Sequence, residues 1–122
     1  MALPKKVKIG GSFYKGYKLS VGATPGDSAL DMTLTSACVI NGITVIPDTY
    51  GEGDYFKLEH LDADGVLVET LAETVYNIGA NASWLLDFST LEKMSAGHKF
   101  RLTYTNVAGV ALNVYTCLER IR

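Results

Sequence analysis

Tyr55-Phe56-Lys57-Leu58-Glu59-His60-Leu61 alternates apolar and polar side chains, and Lys99-Phe100-Arg101-Leu102-Thr103-Tyr104-Thr105 repeats the scheme. A period of two places Phe56, Leu58 and His60 on one face of an extended strand, with Lys57 and Glu59 on the other. In the second stretch Phe100, Leu102 and Tyr104 face in, while Lys99, Arg101 and Thr103 face out. Residues 111–121 alternate again, with Leu112, Val114, Thr116 and Leu118 on one side. Half-buried strands of this kind belong to antiparallel sheets with one face on a core and one in water.

Working outward, turn chemistry separates these runs. Asn41-Gly42 lies between Cys38-Val-Ile40 and Ile43-Thr-Val-Ile46, and the pair is suited to a two-residue hairpin whose central positions need positive φ. Asp62-Ala-Asp-Gly65 precedes Val66-Leu-Val68 and a run to Ile78, and Asn106 to Gly109 divides the last two strands. Weaker strand candidates lie at 5–9, 13–22, 31–36 and 84–88. The stretches Thr24-Pro-Gly-Asp27 and Pro47 to Asp54 read as loops. One helical turn is expected near 90–96, because Ser89-Thr-Leu-Glu92 has capping-box spacing and Gly97 supplies a left-handed stop.

These signals predict an all-β chain, an antiparallel β-sandwich of jelly-roll-like form with about eight or nine short strands and that one short helix. Its expected core is Phe56, Leu58, Val66, Val68, Leu86, Phe88, Phe100, Leu102, Tyr104, Leu112, Val114 and Leu118. Length and composition agree with a single domain. The chain has 122 residues, 48% of them apolar and 20% charged, with 12 glycines and 3 prolines, which allows one core without staples. Residues 1–14 read as a basic N-terminal arm or edge strand, and 15–122 as the sandwich.

The net charge of −2 conceals a division. Lys5, Lys6, Lys8, Lys15 and Lys18 fall in the first 26 residues with no acid, so this segment carries +5 and the remainder −7. A cationic segment on an acidic body steers toward an acidic partner. These five lysines are the candidate partner-binding residues. Phe13, Tyr14 and Tyr17 interleave with them, as in a surface for single-stranded nucleic acid. The segment has no arginine, however, and its rings suit a core, so no nucleic-acid partner is expected.

Catalytic and metal-binding patterns are absent. His60 and His98, the only histidines, read as structural, and no Gly-x-Ser-x-Gly elbow, phosphate loop or dinucleotide fingerprint occurs. The acids Asp48, Glu52, Asp54, Asp62 and Asp64 read as turn residues, since Gly65 comes too early for a calcium loop. Cys38 and Cys117 form no CxxC and read as a reduced, buried pair. Trp84 reads as core. Asn81-Ala-Ser83 is a sequon with no secretory leader to give it meaning. The reading is therefore no enzyme, no cofactor, no metal and no membrane span.

Gly53-Asp-Tyr-Phe-Lys-Leu-Glu-His-Leu61, Asp62-Ala-Asp-Gly65 and Gly97-His-Lys-Phe-Arg-Leu-Thr-Tyr104 resemble in character the strands and turns of the small head decoration, or cement, proteins of tailed phages. That resemblance implies a β-sandwich on the capsid exterior, bound to the major capsid protein or another virion protein. It also implies a homo-oligomer located in the virion, made in the host cytoplasm and not secreted. Carbohydrate- or receptor-binding sandwiches share the strand pattern. On that second reading Tyr50, Tyr55 or Trp84 would be the exposed rings.

Overall fold

The computed structural model describes residues 13–49, 51–75 and 84–120. They form eight strands in chain order: β1 (Phe13–Val21), β2 (Gly26–Thr33), β3 (Cys38–Pro47), β4 (Tyr55–Leu61), β5 (Leu67–Val75), β6 (Trp84–Met94), β7 (Lys99–Asn106) and β8 (Leu112–Arg120). One sheet has the order β1-β8-β3-β6 and the other β2-β7-β4-β5. The pairings β1 with β8, β2 with β7, β3 with β6 and β4 with β5 are all antiparallel. They describe one long ribbon folded back on itself at the β4–β5 turn. Rolling the ribbon so that successive pairs alternate between sheets adds the β3–β8 and β4–β7 contacts. The result is a jelly roll, the expected fold class.

Alternation along each strand explains why the roll holds. β7 reads Phe100, Leu102 and Tyr104 inward, and β8 reads Leu112, Val114, Thr116 and Leu118 inward, all buried. Phe56 and Leu58 from β4, Met32 from β2, Leu19 and Val21 from β1, and Ile40, Ile43 and Val45 from β3 complete one continuous core. Each fully buried Leu, Phe or Met contributes about 1.5–3 kcal/mol, and no helix is needed to cover either inner face.

Three expectations are corrected. Asn41-Gly42 does not turn the chain but lies inside β3, where the register shifts between Ile40 and Gly42 against both β8 and β6. The extra residue switches the inward phase from Cys38 and Ile40 to Ile43 and Val45, so both halves of the strand face the core. Asn41 itself donates from Nδ2 to Glu119 Oε1 at 2.8 Å. The helix near 90–96 is also absent, because Glu92, Lys93 and Met94 pair with Ile40, Val39 and Cys38. Residues 88–91 stand between Asp87, opposite Gly42, and Glu92, opposite Ile40. The hairpin signal and the capping-box signal therefore face one another across a single irregularity in the β3–β6 ladder. Long-range pairing has overridden local preference there.

Val66 and Val68, expected in the core, are 60% and 53% exposed. They project at the start of β5, an edge strand. The side chains of Leu86, Phe88 and Trp84 lie outside the described residues, as do the strand candidate at 5–9, Tyr50 and the sequon at 81–83.

Candidate interaction surface

The loops gather at two ends. One end carries the β1–β2, β3–β4 and β7–β8 connections. There Asp54, fully buried at the foot of β4, accepts hydrogen bonds from Tyr104 Oη at 2.6 Å, Val107 N at 2.7 Å and Ala108 N at 3.0 Å. Gly51 sits over this carboxylate: a Cβ at that position would come within 2.1 Å of Asp54 Oδ2. Asn106, also buried, donates to Gly22 O at 2.7 Å and Val110 O at 3.1 Å and accepts from Gly109 N at 2.8 Å. Asp48 accepts from Asn113 N at 2.9 Å and Asn113 Nδ2 at 3.2 Å. These bonds, led by that of the Asn113 backbone, hold the Asp48 carboxyl below its ordinary value.

At the opposite end Asp62 Oδ1 caps the β4–β5 turn, accepting from Asp64 N and Val66 N at 2.9 Å each. The acids Asp48, Asp54 and Asp62 thus serve loops, as their sequence context implied, and no cluster of three metal-ligating side chains occurs among the described residues. His60 and His98 are brought together here. His60 Nε2 and His98 Nδ1 share a hydrogen bond of 2.9 Å, and Phe100 packs beside His60 with ring centroids 5.6 Å apart. The backbone secures the same corner: Leu34 N donates to His98 O at 2.9 Å and Gly97 N donates to Leu34 O at 2.8 Å. The sequence held no signal for this pairing, since 37 residues separate the two rings and only the β4–β7 register aligns His60 with Phe100.

The outer faces of the two sheets differ in chemistry. On the β2-β7-β4-β5 sheet, Arg101 binds Asp31 through Nε at 2.7 Å and Nη2 at 3.1 Å, with Lys99 Nζ 3.7 Å from the same carboxylate. The guanidinium bond lowers the Asp31 carboxyl from its ordinary value and raises Arg101. Lys57 pairs with Glu59 at 3.9 Å. These charges on β2, β4 and β7 are paired with one another.

The β1-β8-β3 face is arranged differently. A depression of about 400 Å³ is lined by Gly16, Tyr17, Lys18, Ile46, Tyr115 and Cys117. Tyr115 is 45% exposed, and Lys18 is exposed with no carboxylate partner among the described residues. Cys117 is half-buried, and burial followed by the Glu119 charge raises its thiol above the ordinary value. It forms no disulfide with Cys38, which lies buried on β3. Of the two thiols expected to be buried, Cys38 is and Cys117 is only partly so; Thr44 stands opposite Cys117 in the register. Of the five candidate lysines, Lys15 and Lys18 lie exposed on edge strand β1, and Lys15 Nζ sits 5.4 Å from the Tyr17 ring centroid. Lys5, Lys6 and Lys8 fall outside the described residues.

Neither a family model nor a curated protein sequence matches the chain. Solved structures do share its fold. The SPBc2 prophage-derived protein YomS is similar with a TM-score of 0.59 at 14% identity, over 93% of this chain and 99% of that one. A chain of the Cyanophage Pam1 capsid is similar with a TM-score of 0.50 at 20% identity, over 98% and 91%. Chitosan-binding module 1 of a chitosanase/glucanase from Paenibacillus sp. IK-5 is similar with a TM-score of 0.53 at 12% identity, over 84% and 74%. At these identities the likeness is one of fold.

Proposed function

We propose that this chain is a non-enzymatic virion structural protein, a capsid decoration or cement protein that binds and stabilises the outer surface of a phage head. The observation that carries the reading is the pair of exposed lysines on an edge strand, Lys15 and Lys18, the second lining an open apolar depression, with no carboxylate partner among the described residues. A similar fold occurs in a prophage-derived protein and in a Pam1 capsid chain, nearly end to end in both. The described carboxylates at the loops hold backbone and hydroxyl donors, which supports a structural over a catalytic use.

The test uses the full chain. Because β1 begins at Phe13, the strand is kept and the lysines Lys5, Lys6, Lys8, Lys15 and Lys18 are changed together to glutamate. The wild-type protein is expected to copurify with phage particles and the variant to be lost from them while keeping its β circular dichroism. Undiminished attachment by a folded variant defeats the reading. A second reading, a carbohydrate-binding module, draws support from the chitosan-binding module of like fold and from exposed Tyr55 and Tyr115. It predicts binding on an array of chitosan and related oligosaccharides, and a blank array ends it.

A further inference from the structure

Two exposed apolar features stand out among the described residues. The first is a ridge. Val66, Leu67 and Val68 are 60%, 50% and 53% exposed in succession, although neighbouring residues of a strand point to opposite faces. All three protrude because β5 is the edge of its sheet and Leu67 is opposite Leu61, the last residue of β4. Exposed Asp64 and Glu69 flank the ridge on either side.

The second is the depression on the β1-β8-β3 face, and Gly16 is its informative residue. Gly16 lies inside β1, opposite Cys117, and is not among the glycines with positive φ. A Cβ there would meet nothing within 4 Å. Neither backbone conformation nor internal crowding requires glycine, which weakens a strand and marks places where another group approaches closely. Here the missing side chain keeps the depression open between Tyr115, Ile46 and Lys18. Glu119, the acid on the same strand as Tyr115, is engaged by Asn41.

Ridge and depression are complementary: one is apolar with flanking carboxylates, the other apolar with a lysine that has no carboxylate partner among the described residues. We propose that the Val66–Val68 ridge of one copy docks into the Gly16–Tyr115 depression of the next, with its flanking acid against Lys18, so that the protein self-associates head to tail. A face-to-face contact of two depressions would instead set Lys18 against Lys18. Because the two surfaces are different, the contact is heterologous and closes as a ring or continues as a filament. The inference concerns the protein alone in solution and stands apart from attachment to a shell.

Sedimentation velocity on the full chain tests it. At about 100 μM, where a contact of micromolar affinity is filled, the wild type is expected as an oligomer that dissociates on dilution. Leu67→Asp in the ridge and Gly16→Trp in the depression are each expected to be monomeric. Mixed, they are expected to form a 1:1 dimer, because each retains the surface the other has lost. Lys18→Glu is expected to weaken association on the order of tenfold, and adding Glu69→Lys to restore it. A monomeric wild type at this concentration overturns the proposal. So does failure of the two variants, each folded by circular dichroism, to combine. A monomer that still attaches to phage particles would defeat the self-association while leaving the proposed function intact.

Discussion

The two ends of the sandwich are locked by different chemistry. At one end a buried carboxylate, Asp54, gathers a phenol and two backbone amides from the end of β7 and the loop after it. At the other, two imidazoles share one hydrogen bond at a corner held also by Leu34 and Gly97. The carboxylate is acceptor to three donors, so removing it breaks three bonds at once. The imidazole pair is a single donor–acceptor link. The first end is therefore the more costly to disturb.

The largest break in that contrast is Asp54→Ala. It removes the acceptor of one buried bond, from Tyr104 Oη, and of two part-buried ones, from the amides of Val107 and Ala108, at an expected cost of about 3 kcal/mol. In urea denaturation this appears as a lower midpoint at unchanged slope. An effect below about 1 kcal/mol would mean that water takes over the donors and that this end is no stronger than the other. Gly51→Ala reaches the same carboxylate from outside. Its Cβ cannot coexist with Asp54 Oδ2 in the present geometry, and the forced shift is expected to cost about 2 kcal/mol. Combined with Asp54→Ala it should cost almost nothing further, a non-additivity that a double-mutant cycle reads directly.

At the other end His98→Ala removes one hydrogen bond and is expected to cost about 1 kcal/mol, or about 4 °C in melting temperature. The sharper distinction is local. In the His98→Ala protein amide exchange is expected to quicken at Leu34 and Gly97, whose backbone bonds secure that corner, before it does at Val107 and Ala108. Equal quickening at both ends would erase the comparison.

The smallest effects come from the surface carboxylates. Asp48 and Asp31 have lowered values in the folded protein, from the Asn113 backbone bond and the Arg101 side-chain bond respectively. Below its unfolded value near 3.9 the unfolded chain takes up a proton more readily than the folded one. Their contribution is thus complete above about pH 5 and is lost as pH falls through the folded values. For the exposed Asp31 pair it amounts to no more than about 0.5 kcal/mol. The Asp31→Asn protein should therefore unfold in acid almost as the wild type does, and a large displacement of its acid midpoint would show that this surface network matters more than the histidine corner.

How much of this was legible beforehand varied by element. β4, β7 and β8 stood out because each has one buried and one solvated face, so period-two alternation is printed directly in Phe56 to His60, Phe100 to Tyr104 and Leu112 to Leu118. β5 was misjudged at Val66 and Val68 because apolarity alone does not tell an edge ridge from a core strand. The Asn41-Gly42 and Ser89–Glu92 signals were sound as local chemistry, yet they mark an irregularity between two long strands, where ladder bonds on both sides of β3 outweigh a turn or a capped helix. Of the interaction surface, only Lys15 and Lys18 could be named. Gly16, Ile46, Tyr115 and Cys117 come from three strands, and nothing in their spacing links them.

The alternation and the turn residues by themselves determined that the chain is all-β, two-layered and antiparallel, because side-chain direction in a strand is a local consequence of backbone geometry. They also set the charge division between the first 26 residues and the rest. Only the tertiary structure decided which strands are neighbours, and with that the meeting of His60 with His98, the burial of Asp54 beneath Tyr104, and the depression opened by Gly16. Each of these depends on register between segments tens of residues apart, and register is an energy of the whole packed sandwich, with no counterpart in any short stretch of sequence.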